Sequence, residues 1–134
     1  METIHEIGDH TPVVVQHKAH EGGQVTLTPS DANLYARFFQ VLSDPTRVRL
    51  LHLLLDVPEM GRTVSELVEA IGAPQSRIST HLGCLRWCGL VLASREGKQV
   101  YYRVADPRVR DLLALGGLML RDHAASVASC GVIQ

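Results

Sequence analysis

With 134 residues, 46% of them hydrophobic, the chain is long enough for one domain with a real core and too short for two. Its net charge of −1 excludes a uniformly basic nucleic-acid binder, so any contact with phosphate has to come from a local patch. No apolar run approaches the ~18 residues of a membrane span and no charged-then-apolar leader opens the chain, so a cytoplasmic protein without membrane contact is expected. Three cysteines, an odd number, make no disulfide framework and are expected as thiols available to metal.

Residues 1–29 lack a sustained period and contain Pro12, Gly22-Gly23 and Pro29. They read as a flexible arm, with Val13-Val14-Val15 as a candidate strand. The arm holds His5, His10, His17 and His20, a set that suits either a metal or plain solvation. Ser30 or Asp31 is expected to cap a first helix to about Leu42, whose Leu34, Phe38, Phe39, Val41 and Leu42 are more apolar surface than one helix needs.

Asp44-Pro45 restarts the chain, Asp as cap and Pro at the first helical position, for a second helix to Leu55 that is apolar nearly all round and so belongs in the core. His52 within it reads as a packed or partly exposed residue. Thr63-Val64-Ser65-Glu66 is a capping box opening a short third helix that Gly72 closes. A fourth helix begins with Pro74 at its first position and ends at Cys88, before Gly89. Two short helices joined by Gly-Ala-Pro make a helix-turn-helix.

The fourth helix carries two chemistries. At about 100° per residue, Ile78, Leu82 and Leu85 fall on one inward arc. Ser76, Ser79, Thr80 and Gly83 face outward, small and hydrogen-bonding, and suit a helix that enters a major groove; the alternative is a plain solvated face. Arg77, His81, Cys84 and Cys88 form a stripe along one flank. Cys84 and Cys88 stand one turn apart, about 5–6 Å at Cβ, and two thiolates so placed can share one soft metal ion, although cysteine also serves as a small buried hydrophobe. From Pro74 to Val104 the basic residues Arg77, Arg86, Arg95, Lys98 and Arg103 meet only Glu96, a local excess of positive charge.

After Gly89 the period drops to about two, giving strands over 90–95 and 98–104 around a Glu96-Gly97 turn. This hairpin reads as a wing whose Arg95 and Lys98 reach phosphate, or merely keep the tip soluble. Asp106-Pro107 repeats the cap-plus-proline device for a last helix to about Ala128. Its Val109, Leu112, Leu113, Leu115, Leu118, Met119 and Leu120, with Gly116-Gly117, predict a homodimer through the first and last helices. The expected fold is mainly α with a β-hairpin wing, a dimeric winged helix-turn-helix: residues 30–128 for DNA binding and dimerisation, and a tail, 129–134, carrying Cys130.

This order of elements, with Leu42-Ser43-Asp44-Pro45-Thr46-Arg47, Ser76-Arg77-Ile78-Ser79-Thr80-His81-Leu82 and Gly89-Leu90-Val91, resembles the ArsR/SmtB family of winged-helix repressors over about residues 30–128. The resemblance implies a cytoplasmic homodimer that holds double-stranded operator DNA without metal and is released when a metal binds. Cys84-Leu85-Arg86-Trp87-Cys88-Gly89-Leu90 is similar to the cadmium/lead-sensing branch of that family, which implies a metal site of Cys84, Cys88 and Cys130, the last from either subunit. Two other metal sites of the family are not matched: Thr63 to Val68 contains no cysteine, and the last helix has Asp106-Pro107-Arg108 where an Asp-x-His start is needed, with Met119 and Asp122 further on. Asp106, Asp122 and His123 are therefore minor candidates, and Asp106 reads better as a cap.

The expected effector is Cd(II) or Pb(II), with Hg(II) admissible and Zn(II) requiring a fourth ligand such as His81, an arm histidine or water. Residues expected at DNA are Gln75, Ser76, Arg77, Ser79, Thr80, His81, Arg95 and Lys98. No catalytic residue, cofactor-binding residue or small-molecule substrate is expected. Rival readings are a thiol redox sensor, a winged helix used only for protein contact, and an enzyme pairing Cys84 with His81, the last lacking an oxyanion site or orienting residue.

Overall fold

The structure, a computed structural model, describes residues 2–4, 17–19 and 25–133. Its elements in order are β1 (Glu2–Ile4), β2 (His17–Ala19), β3 (Val25–Leu27), α1 (Pro29–Val41), α2 (Pro45–Leu55), α3 (Val64–Ile71), α4 (Gln75–Trp87), β4 (Val91–Glu96), β5 (Gln99–Val104) and α5 (Arg108–Ser129). Helix boundaries follow local chemistry. Asp44 accepts from the N–H groups of Thr46 and Arg47 to cap α2, and the Thr63 hydroxyl accepts from Glu66 N–H to cap α3. Gly72, at φ 77°, takes the left-handed conformation that ends α3. The end of α4 is a Schellman motif: Leu90 N–H donates to the Leu85 carbonyl, Gly89 N–H to that of Arg86, and Gly89 has φ 80°.

Several boundaries differ from the sequence expectation. The cap of α1 is Thr28, whose hydroxyl accepts from Asp31 N–H, with Pro29 filling the first helical position; Ser30 and Asp31 already lie inside the helix. Pro74 occupies the cap of α4 and not its first turn. Glu96 pairs with Gln99, so the two-residue turn of the wing is Gly97-Lys98, with Gly97 at φ 63°. Within the segment expected as an arm, β1 pairs antiparallel with β4, and β2 with β3. Val13-Val14-Val15, His5, His10 and His20 lie outside the described residues.

The core is where α2, α3 and α4 meet the wing. Leu50, Leu51 and Leu54 of α2, Leu67 of α3, Ile78, Leu82 and Leu85 of α4 and Val91 of β4 are buried together. Each fully buried leucine contributes about 1.5–3 kcal/mol, so α4 is seated firmly by its three inward side chains. The sheet runs β1-β4-β5, and Arg62 adds a bridge to Tyr102 on the far side, closing both hydrogen bonds at 3.0 and 2.8 Å. Gly61, at φ 75°, allows this, because a Cβ there would overlap the Tyr102 carbonyl oxygen.

Outside this core lie two apolar surfaces. Tyr35, Phe38 and Phe39 of α1 are exposed, as are Leu115, Leu118, Met119 and Leu120 of α5, where only Val109 is buried. Among the described residues no helix is long and apolar enough to cross a membrane.

Candidate nucleic-acid interface and thiol site

The outward face of α4 is small and polar as expected. Gln75, Ser76, Arg77, Ser79, Thr80 and Gly83 are all exposed. Pro74, Ser76, Arg77, Thr80 and His81 line an open groove of about 340 Å³. The Thr80 hydroxyl donates to the Ser76 carbonyl at 2.9 Å, which spends its proton inside the helix and leaves an acceptor lone pair and a methyl group facing out. Arg95 and Lys98 are exposed on the wing, Arg95 near the end of β4 and Lys98 in the turn. A helix face of polar and small side chains, flanked by a hairpin with two cations, can enter a major groove while the hairpin meets the neighbouring phosphates.

His81 stands apart from the other groove residues. Its side chain is only 15% exposed, and its Nδ1 lies 3.2 Å from the Arg47 guanidinium while Nε2 faces the Asp44 carboxylate at 3.7 Å. A guanidinium only donates, so Nδ1 accepts and the imidazole proton sits on Nε2, toward Asp44. Burial pushes the Asp44 carboxyl up, but the N–H groups of Arg47 and Thr46, with the electrostatic pull of the facing His81 ring and of Arg47, outweigh it and hold the group below its ordinary value. With both ring nitrogens turned to α2, His81 is not placed to serve Cys84 as a base. Its ring is also less free to meet a base edge than Ser76 or Arg77. Sequence reasoning placed His81 on the right flank and missed these partners; the signal was the Asp44-x-x-Arg47 spacing, which puts both groups on the first turn of α2.

Cys84 is half-buried and Cys88 exposed, one helical turn apart on α4. Partial burial and the adjoining Cys84 push the Cys88 thiol up, while the charges of Arg47 and Arg37 pull it down, with a net rise. Cys130 is exposed at the end of α5 and does not join them: among the described residues no three His, Cys, Asp or Glu side chains converge. The chain by itself therefore presents two soft donors, with room beside the exposed one for a further ligand. The cap of α5 is Pro107 and not Asp106, which stands one residue before it as an ion-pair partner, its Oδ1 accepting from Arg108 N–H and its carboxylate meeting the Arg108 guanidinium at 2.7 Å. The Arg108 side chain first, then its backbone N–H, lower the Asp106 carboxyl to about 2.

A winged helix-turn-helix with a small-residue reading helix and a cationic wing defines a DNA-binding transcription regulator. Residues 44–92 match the family model described as "Bacterial regulatory protein, arsR family". A Streptomyces lividans protein named "Probable mercury resistance operon repressor" is 47% identical over 95 residues, covering 71% of this chain and 74% of the relative. The chain belongs to the ArsR family of bacterial transcription regulators, as the residue motifs implied. Two solved structures are similar. One is the cadmium metal-sensor CmtR of Mycobacterium tuberculosis, 43% identical, with a TM-score of 0.50 over 59% of this chain and 79% of that one. The other is a homodimeric winged helix-turn-helix DNA-binding domain from Mycobacterium bovis, 31% identical, with a TM-score of 0.60 over 75% and 93%.

Proposed function

We propose that this protein is a metal-responsive repressor: a homodimer that holds operator DNA when metal-free and releases it when a thiophilic ion binds Cys84 and Cys88, with Cys130 of a second copy as third ligand. The observation that carries the reading is the thiol pair itself, two free cysteines one helical turn apart on a flank of the helix that would face DNA, one of them open to solvent. Soft thiolates select Cd(II), Pb(II) or Hg(II) over hard ions, and Zn(II) would need a fourth donor. The relatives named for mercury resistance and cadmium sensing agree with that donor chemistry. Exposed apolar side chains on α1 and α5 supply a face for the second copy, and a similar domain is homodimeric. Gln75, Ser76, Arg77, Ser79 and Thr80 would read base edges, with His81 beside them, while Arg95 and Lys98 hold phosphate.

Ligands on the reading helix make coupling direct. A tenfold loss of operator affinity needs only about 1.4 kcal/mol between the two states, inside the usual range of coupling energies. A thiol redox switch is told apart by its own response, release of DNA by peroxide and recovery with reductant, with no metal needed.

Trp87, the only tryptophan, is exposed next to Cys88 and provides a built-in reporter. The test titrates the reduced protein with Cd(II), Pb(II), Hg(II) and Zn(II). Sulfur-to-metal absorption, Trp87 emission and release of a duplex selected from a random-sequence pool are followed together. Cys84→Ser or Cys88→Ser should abolish all three signals, and Cys130→Ser should weaken them. Metal-driven release that survives in Cys84→Ser and Cys88→Ser would refute the site.

A further inference from the structure

On the flank that carries the thiols, a compact polar contact ties α4 to α1 and α2. Arg47, in the first turn of α2, donates through Nε to the Val41 carbonyl at 2.5 Å and through a terminal nitrogen to the Gln40 carbonyl at 3.1 Å. Both carbonyls belong to the last turn of α1, where helical geometry leaves acceptors to be met from outside the helix; that of Gln40 also accepts from the N–H and hydroxyl of Ser43. The other terminal nitrogen donates to His81 of α4 at 3.2 Å. One guanidinium thus pins the end of α1, the start of α2 and the middle of α4, and Asp44 faces the same imidazole from its other side. His81 precedes Cys84 by three residues and Cys88 by seven, so all three share one helix flank. Because Arg47 meets His81, the flank residue one turn before Cys84, its guanidinium lies on the side of α4 that carries the thiols.

We infer that Arg47 is the positioning residue through which ion capture at Cys84 and Cys88 moves the reading helix: it holds α4 through His81 in the metal-free chain and lets go of His81 when a thiolate centre forms beside it. The inference rests on the metal-responsive reading above. As each sulfur–metal bond forms, its thiol gives a proton to solvent, and three thiolates around a divalent ion leave a net charge of −1. Arg47 cannot answer by losing its own proton, so it answers by re-aiming. A neutral imidazole is a weaker acceptor than an anion, because charge-assisted hydrogen bonds are about twice as strong as neutral ones. Freed from Arg47, the middle of α4 keeps its apolar seat and loses a polar tie to α1 and α2.

The test compares the wild-type full chain with Arg47→Lys, His81→Phe and the double variant, all reduced, with Cd(II) as the probe. Sulfur-to-metal absorption gives ion affinity. Anisotropy of a labelled selected duplex, with and without Cd(II), gives the coupling factor as the ratio of two DNA affinities. Arg47→Lys keeps the charge and loses the planar fork, so Cd(II) affinity should stay within about threefold while the coupling factor falls by about fivefold or more. His81→Phe should show a similar fall, and the double variant no more than either single, since both break one link. A merely structural defect lowers both DNA affinities together and leaves their ratio. If Arg47→Lys does not fold, His81→Phe decides. Coupling factors unchanged within about twofold in the variants, beside a wild type that Cd(II) releases, overturn the role of Arg47 and leave the metal reading standing. A wild type that Cd(II) does not release overturns the metal reading and the role of Arg47 with it, a result seen in the wild type alone.

Discussion

Gly61→Ala should loosen the wing at its base. At φ 75° an alanine costs about 1–2 kcal/mol from its Cβ against the backbone. The same Cβ would overlap the Tyr102 carbonyl oxygen and lie 2.6 Å from Arg103 Cγ, so β5 has to back away. Retreat parts the Arg62–Tyr102 bridge, two hydrogen bonds of 3.0 and 2.8 Å whose net worth is about 1 kcal/mol each. The expected loss is therefore about 3–4 kcal/mol, a large share of a domain's stability but short of all of it. Gly72→Ala is the control: its φ is 77°, yet a Cβ there meets nothing within 4 Å, so it should cost only about 1–2 kcal/mol. Urea unfolding at one fixed protein concentration measures both, since the proposed dimer would make apparent stability depend on concentration. A Gly61→Ala cost within about 0.5 kcal/mol of the Gly72→Ala cost would show that β5 is not held against residue 61, and the wing's anchorage would have to be sought elsewhere.

Three further outcomes follow from the same geometry. Asp44→Ala should cost about 1–2 kcal/mol at pH 7 through loss of the α2 cap. Because the folded-state pKa of Asp44 lies below its unfolded value of about 3.9, this contribution is present above that value and is lost as pH falls through the lowered one; the variant's deficit, measured by urea unfolding, should shrink toward zero in acid. The Asp106 carboxyl should titrate by NMR near pH 2 and move up in Arg108→Ala, and an unchanged midpoint would mean the ion pair is not formed in solution. Lys98→Ala should weaken binding to all duplexes alike and reduce the slope of log affinity against log salt by about 0.9 per subunit, whereas a sequence-selective loss would place Lys98 at a base and not a phosphate.

Much of the molecule was legible from the chain alone, and the reason is local geometry. The spacing of Ile78, Leu82 and Leu85 fixes which side of α4 is buried, whatever it packs against, and all three are buried. Asp44, Thr63, Gly72 and Gly89 act on backbone groups a few residues away, so their roles as caps and stops could be read without knowing the fold. The placing of Cys84 beside Cys88 is equally local, being one turn of one helix.

What the tertiary structure decided are the contacts between distant residues. Arg47 and His81 are 34 positions apart, and whether they meet depends on how α2 and α4 cross, which is set by the packing of the whole core and not by either segment. The Arg62–Tyr102 bridge and the pairing of β1 with β4 depend in the same way on strand register, which no single strand contains. Periodicity tells a residue which way to face; only the assembled core determines what it finds there.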